Sequence, residues 1–230
     1  LQSFLSFSSN PGTTGLHYYS YFFKKYKLDC QYIPLAVTDL NQAVSDAKSQ
    51  RVSGFSISMP FKRSIIDFLD EIDSAVLEYQ SCNTVKIVDN KLYGYNADLD
   101  GALAILKLYI YSNGVTILGN GAMGTMFNKL INGSRLVSRS IGNWDTRYWS
   151  TDTIINCTAL GTIDSNSPFL VLPECKLVID LALKDNDLKL QCKEKKVKYV
   201  SGKEFYKFNF LKQFEIYTGI KLDEGEFEEV

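Results

Sequence analysis

Gly119-Asn120-Gly121-Ala122-Met123-Gly124 has the spacing G-x-G-x-x-G and stands between an apolar run, residues 115–118, and a helical pattern. Glycines so placed let the backbone turn tightly and approach a pyrophosphate, while the helix start offers unpaired N–H groups and partial positive charge. Dinucleotide binding through Gly119, Gly121 and Gly124 is therefore expected; the plainer alternative is a tight strand-to-helix turn. Twenty residues after Gly119 comes Arg139, flanked by Ser138 and Ser140. NAD binders carry an acidic group there for the ribose 2′-hydroxyl, whereas guanidinium with hydroxyls suits a 2′-phosphate, so NADP is favoured over NAD. A solvated surface arginine is the alternative. Another strand pattern, from Gly54 to Met59, is stopped by Pro60 and delivers Lys62 just beyond it. Strand ends are where α/β proteins place active groups.

The elements that must hold these residues alternate from end to end. Strand patterns at residues 1–8, 30–37 and 54–59 are separated by helical runs at 16–28 and from Asp39 to Gln50. The first helix repeats Tyr19, Phe22, Phe23 and Tyr26 at helical spacing, and Asp39 with Gln42 has capping-box spacing at the start of the second. Asp89-Asn90 predicts a hairpin between strands at 82–88 and 91–95, and 97–111 is the longest helical run. The pattern restarts at Asn113-Gly114. Strands follow at 115–118, 135–138, 153–156, 177–181 and 197–200, with helices near 185–195 and 203–217. The acidic run 223–230 reads as a frayed tail.

The chain has 230 residues, 45% hydrophobic and 22% charged, values of an ordinary globular protein of one large or two small domains. Lys plus Arg number 25 and Asp plus Glu 26, so no basic excess points to nucleic acid or a membrane surface. No apolar stretch suits a membrane helix and no signal peptide is seen, so the expectation is a soluble, cytoplasmic protein. Its five cysteines, never arranged as C-x-x-C, suggest buried free thiols and no metal site. The one histidine, His17, is read as packed at a helix start, and no G-x-S-x-G elbow supports a hydrolase triad.

Three segments, Gly54-Phe55-Ser56-Ile57-Ser58-Met59-Pro60-Phe61-Lys62, Ser81-Cys82-Asn83-Thr84-Val85 and Gly94-Tyr95-Asn96-Ala97-Asp98-Leu99-Asp100-Gly101, precede the glycine motif. In this order and spacing they resemble the shikimate dehydrogenase family. Further markers are Asn156-Cys157-Thr158-Ala159-Leu160-Gly161, Asp180-Leu181, Gly202 and the run from Gln213 to Gly219, so the resemblance covers about residues 10–218. It implies an NADP-dependent oxidoreductase of aromatic amino acid biosynthesis, reversibly reducing 3-dehydroshikimate or a related cyclic hydroxy acid to shikimate. Lys62 and Asp98 would be catalytic. Ser58 and Asn83 would line the substrate site, and Ser138, Arg139 and Ser140 would read NADP. A lysine beside a carboxylate can orient a hydroxyl and shuttle its proton; an ordinary salt bridge is the alternative.

The sequence also departs from the family. The loop ahead of the first helix, Ser8-Ser9-Asn10-Pro11-Gly12-Thr13-Thr14, offers Thr13 and Thr14 where serines usually grip the carboxylate, which is closer to a subgroup with a Gly-Thr-Thr loop. Asn209 stands where a glutamine is usual. Between Ser140 and Thr153 there is room for about a strand, which compresses the cofactor domain and places Trp144, Tyr148 and Trp149 to cap a sheet face, the favoured reading, or to pack against a second subunit. The expected architecture is a two-domain α/β protein. An N-terminal αβα substrate domain, residues 1–104 with the C-terminal helix 203–230 packing back, accompanies a shortened Rossmann-like NADP domain, 105–202. A monomer or homodimer acting on a small molecule is expected. The alternatives are a dehydrogenase of another substrate such as quinate, and a non-catalytic NADP- or ligand-binding module.

Overall fold

The computed structural model describes residues 1–111, 114–162 and 164–230; Asn113, half of the expected Asn113-Gly114 restart, lies outside them. In chain order the elements are β1 (Gln2–Ser8), α1 (Thr14–Lys25), β2 (Cys30–Ala36), α2 (Leu40–Ser49), β3 (Gly54–Ile57), β4 (Glu71–Ile72), α3 (Ser74–Tyr79), β5 (Thr84–Val88) and β6 (Lys91–Tyr95). They continue with α4 (Asp98–Tyr109), β7 (Val115–Leu118), α5 (Ala122–Leu130), β8 (Arg135–Val137), β9 (Thr153–Asn156), β10 (Leu177–Asp180), α6 (Asp187–Glu194), β11 (Lys198–Ser201), α7 (Gly202–Thr218) and α8 (Glu224–Phe227). Short 3₁₀ turns lie at Ser64–Phe68 and Trp144–Tyr148. Among the described residues no helix is long and apolar enough to cross a membrane.

One compact unit comprises Leu1–Asp98 with Asn209–Val230, the other Leu99–Phe208. The divisions fall within α4 and α7, earlier on the first and later on the second than the expected boundaries at 104 and 203. The first unit holds a six-stranded mixed sheet in the order β2-β1-β3-β5-β6-β4. β1 runs parallel to β2 and β3, then the direction reverses between β3 and β5 and again between β5 and β6. The second reversal is the expected hairpin. Its Asp89 and Asn90 both have positive φ, at 49° and 63°, as a turn matched to strand twist requires.

Aromatic spacing builds the packing of this unit. On α1, Tyr19, Phe22 and Phe23 are buried, and Tyr19 meets Phe210 of α7 at 4.9 Å between ring centroids. Phe4 of β1 stacks on Tyr217 at 4.6 Å. Asp39 caps α2 by accepting from Gln42 N at 3.1 Å, but only half the capping box forms, because Gln42 Nε2 turns instead to Asp46. His17 is exposed rather than packed.

The acidic tail is not frayed. Asp223 and Glu226 form a capping box for α8. Phe227 is buried and stacks on Tyr18 at 4.3 Å. Lys25 pairs with Glu226 at 2.9 Å and Glu229 at 2.7 Å. Lys25, in the basic last turn of α1, thus holds two of the acidic side chains of this run, which a scan of local composition does not reveal.

The second unit contains a five-stranded sheet in the order β11-β10-β9-β7-β8, parallel throughout. From β7 the chain goes to β8 on one side and then to β9 on the other. This reversal of strand order is where open α/β sheets bind ligands, beyond the carboxyl ends of the strands. Between β8 and β9 the only regular structure among the described residues is the turn Trp144–Tyr148. Trp144 packs against the core formed by Leu118, Val137, Ile154, Phe169 and Val178, Tyr148 meets Phe169 edge-on, and Trp149 is 58% exposed.

Candidate active site and dinucleotide cradle

Strand direction in the first unit brings the predicted substrate and catalytic segments to one end of the sheet. β1 and β3 run parallel, so the loops leaving Ser8 and Ile57 emerge side by side; Ser9 N donates to Met59 O at 3.2 Å across them. β5 is antiparallel to β3, so it begins at that same end with Asn83, and β6 returns there to deliver Asn96, Ala97 and Asp98. Ile57 N donates to Asn83 O at 2.8 Å, and Cys82 N donates to Lys62 O at 2.8 Å, which locks the lysine turn to the asparagine segment. The Met59–Pro60 peptide is cis.

At this end Lys62 Nζ donates to Asp98 Oδ2 at 2.5 Å, and Asn209 Nδ2 donates to Asp98 Oδ1 at 2.6 Å. The Asp98 side chain is only 3% exposed and that of Lys62 16%. A carboxylate so buried needs partners on both oxygens, and the two residues provide them. An ammonium has three N–H donors, so contact with Asp98 leaves Lys62 able to serve an oxygen placed beside it. This is more than a solvated surface pair.

Asn83 Oδ1 accepts from Ala97 N at 2.9 Å and from Thr84 Oγ1 at 2.8 Å. Acceptance of two donors identifies that atom as oxygen and leaves Nδ2 as the donor end. Behind it lies a buried chain of polar groups that the sequence patterns did not disclose. Gln213 Nε2 donates to Thr84 Oγ1 at 2.8 Å, its Oε1 accepts from Tyr19 at 2.8 Å and Ser56 at 2.9 Å, and Tyr32 donates to Ser56 at 2.8 Å. Gln213 has the same four-residue spacing from Asn209 that puts two residues on one helix face, which is the signal that links them.

Thr13 precedes α1 at its N-cap position without a side-chain capping bond, and Thr14 opens the helix. Ser58 N donates to Phe7 O at 2.9 Å and Ser58 O accepts from Phe61 N at 3.0 Å, so its backbone is fixed while its side chain is half-buried. Ser81 Oγ and both amide atoms of Asn96 are buried and unpaired among the described residues. Unpaired buried groups of this kind cost free energy, and both lie on segments that carry site residues. Burial pushes the Cys82 thiol up to about 12, so it is no nucleophile at neutral pH.

The second unit presents the glycine turn between β7 and α5. Gly119 has φ of 93°, a left-handed conformation that a side chain disfavours. A Cβ on Gly124 would stand 1.7 Å from Gly119 O, so only glycine lets the helix pack this closely on the turn. A Cβ on Gly121 would meet nothing within 4 Å, and Gly121 is the N-cap of α5 without a side-chain capping bond. Open space beside uncapped helix N–H groups is the cradle a pyrophosphate needs. The residues present fit a dinucleotide.

Ser138, Arg139 and Ser140 follow β8. Ser140 Oγ donates to Asn120 Oδ1 at 3.0 Å, tying this turn to the glycine turn, and Ser138 Oγ accepts from Ile141 N at 3.1 Å. Arg139 is exposed. At the other strand ends Asp180 is fully buried and accepts from Asn156 at 2.9 Å, Asn186 at 2.7 Å and Tyr199 at 3.0 Å. The Asn156 and Asp180 motifs thus form one polar knot, and burial with the adjacent Asp180 charge raises the Tyr199 phenol above its usual range.

The sequence and the fold have parallels among known proteins. Residues 14–85 match the sequence model of the shikimate dehydrogenase substrate binding domain. The Pyrococcus abyssi protein named shikimate dehydrogenase (NADP(+)) is 26% identical over 226 residues, spanning 87% of this chain and 86% of its own. The crystal structure of shikimate dehydrogenase from Aquifex aeolicus superposes with a TM-score of 0.85 at 20% identity, covering 99% of this chain and 96% of that one. The 5-ketofructose reductase of Gluconobacter does so with 0.74 at 25% identity, covering 99% and 96%. Likeness along most of the length, a matched N-terminal segment and a shared fold agree with the motifs in making the chain similar to shikimate dehydrogenases.

Proposed function

We propose that the protein is an NADP-dependent oxidoreductase that reversibly reduces 3-dehydroshikimate, or a related cyclic hydroxy acid bearing a ring ketone, to shikimate. The observation that carries this is the buried Asp98 held between Lys62 and Asn209 at the sheet end where the substrate segments converge. Bound NADPH supplies the hydride that the carbonyl carbon receives. Lys62 gives a proton to the carbonyl oxygen as negative charge develops there, and takes it back in the reverse direction. Asp98 keeps the ammonium aimed, and Asn83 offers its Nδ2 donors to a substrate hydroxyl. Thr13, Thr14 and Ser58 complete the substrate side, with Thr13 and Thr14 facing the carboxylate as in the Gly-Thr-Thr subgroup.

On the cofactor side Gly119, Gly121 and Gly124 admit the pyrophosphate, and Ser138, Arg139 and Ser140 read the 2′-phosphate. The protein acts in the cytoplasm as a monomer or homodimer. The deciding experiment follows NADPH oxidation in the presence of 3-dehydroshikimate, beside calorimetric titration with NADPH and NADH. Turnover with NADPH preferred is expected; absence of NADPH binding would overturn the proposal. The threonine loop and Asn209 favour one second reading, the same chemistry on another hydroxylated ketone, which a panel including quinate distinguishes. A non-catalytic module would bind NADPH and turn over no member of that panel.

A further inference from the structure

Two arginines lie against the Trp144 ring and differ in what else they hold. The Arg147 guanidinium lies 4.7 Å from the Trp144 ring centroid and 4.2 Å from that of Tyr148. It donates to Pro168 O at 2.9 Å, Trp144 O at 2.9 Å and Tyr148 Oη at 3.0 Å, pairs with Asp145 at 3.5 Å, and its side chain is 13% exposed. Arg147 is a brace. Arg139 lies 5.3 Å from the same indole, is exposed, and among the described residues makes no hydrogen bond or ion pair. Its donors are therefore available to an anion, and the ring is the contact that restrains it.

The backbone that brings the two together is closely tied. Gly142 N donates to Arg139 O at 3.0 Å, closing a turn in which Gly142 has φ of 80°. Asn143 accepts from Ser138 N at 2.9 Å and donates to Leu136 O at 2.9 Å, fastening the turn to β8. Trp144 follows at once and rests on the sheet core. An arginine left in solvent has many rotamers to lose when it binds a phosphate; one already lying over an indole has fewer.

We propose that Trp144 is a specificity-determining positioning residue, a ring platform braced by Arg147 that holds the Arg139 guanidinium for the 2′-phosphate of the dinucleotide. This rests on the NADP assignment above. It gives the short β8–β9 connection a use: the turn that stands there supplies the platform.

The test is calorimetric titration of NADPH and NADH into the parent protein and its Arg139→Ala, Trp144→Phe, Trp144→Leu and Trp144→Leu/Arg139→Ala variants, each checked for folding by circular dichroism. Trp144→Leu keeps apolar bulk and removes the π face. It should weaken NADPH about 2- to 5-fold, the scale of an exposed cation–π contact, and leave NADH unchanged. Trp144→Phe should restore part of the loss, and Trp144→Leu should have no further effect once Arg139 is alanine. A preference that depends on Arg139 but is unmoved by Trp144→Leu, or a loss shared equally by both cofactors, overturns the platform and leaves the NADP assignment standing. A parent that does not prefer NADPH overturns both. If Trp144→Leu fails to fold, fluorescence decides: the chain has two tryptophans, so in Trp149→Phe the emission comes from Trp144 alone. Adenosine 2′,5′-bisphosphate should change it more than adenosine 5′-phosphate, and equal responses count against the platform.

Discussion

Asn209 donates to one oxygen of Asp98 at 2.6 Å while Lys62 holds the other at 2.5 Å, so a residue of α7 and a residue past β3 share a single buried carboxylate. The short Asn209 amide is used on Asp98. The arrangement makes the three residues one unit whose members should not behave independently.

Replacement of Lys62 by alanine should lower turnover at least ~100-fold with NADPH affinity nearly unchanged, because the proposed role places the group at the reacting oxygen. Asp98→Asn should act alike. The double variant should lose much less than the product of the single effects. Steady-state kinetics with calorimetric NADPH titration checks this, and normal turnover in Lys62→Ala would remove the lysine from the reaction.

Asn209→Ala leaves Asp98 with one buried oxygen unpaired. A hydrogen bond to a charged group is worth ~1.5 to 3 kcal/mol, so turnover should fall roughly 10- to 100-fold. The division between kinetic constants separates two roles. A fall in kcat at constant KM marks support of Asp98, whereas a rise in KM at constant kcat marks direct contact with substrate.

The glycines of the turn should fail in different ways. Gly121→Val points into open space, so the variant should fold normally and lose NADPH binding, as its side chain enters the space proposed for the phosphate. Gly124→Ala meets Gly119 O at 1.7 Å and should lower the melting temperature instead. Circular dichroism and calorimetry together resolve the pair; unchanged NADPH affinity in Gly121→Val would make the turn purely structural.

The C-terminal tail should loosen in acid. The Tyr26 hydrogen bond, the Asp223 backbone N–H and Lys25 bring the Glu226 carboxyl down to about 2. A carboxyl depressed in the folded state stabilises fully above its unfolded value, ~4.3, and that contribution fades as pH falls toward the folded value. Hydrogen exchange of residues 223–230 should therefore accelerate, relative to the sheet, between about pH 5 and pH 2. Glu226→Gln should show the faster exchange already at neutral pH.

Much of this protein was legible in its sequence because the relevant signals are local. Strand-turn-helix order around Gly119 to Gly124, the proline stop before Lys62 and the Asp89-Asn90 hairpin each depend on a few neighbouring residues, and backbone sterics act at that range. The compressed stretch after Ser140 was likewise visible by counting. What tertiary structure alone decided are contacts between distant segments. Asn209 reaches Asp98 only because α7 returns to the first unit, and Gln213 supports Asn83 both by donating to its backbone oxygen and through Thr84. Trp144 could be read as an aromatic needing cover, but which arginine it restrains and which it braces follows from a turn and a hydrogen-bond set. The acidic tail misled for the same reason. A run of like charge is unstable by itself and ordered beside Lys25, and no local pattern states what will lie opposite.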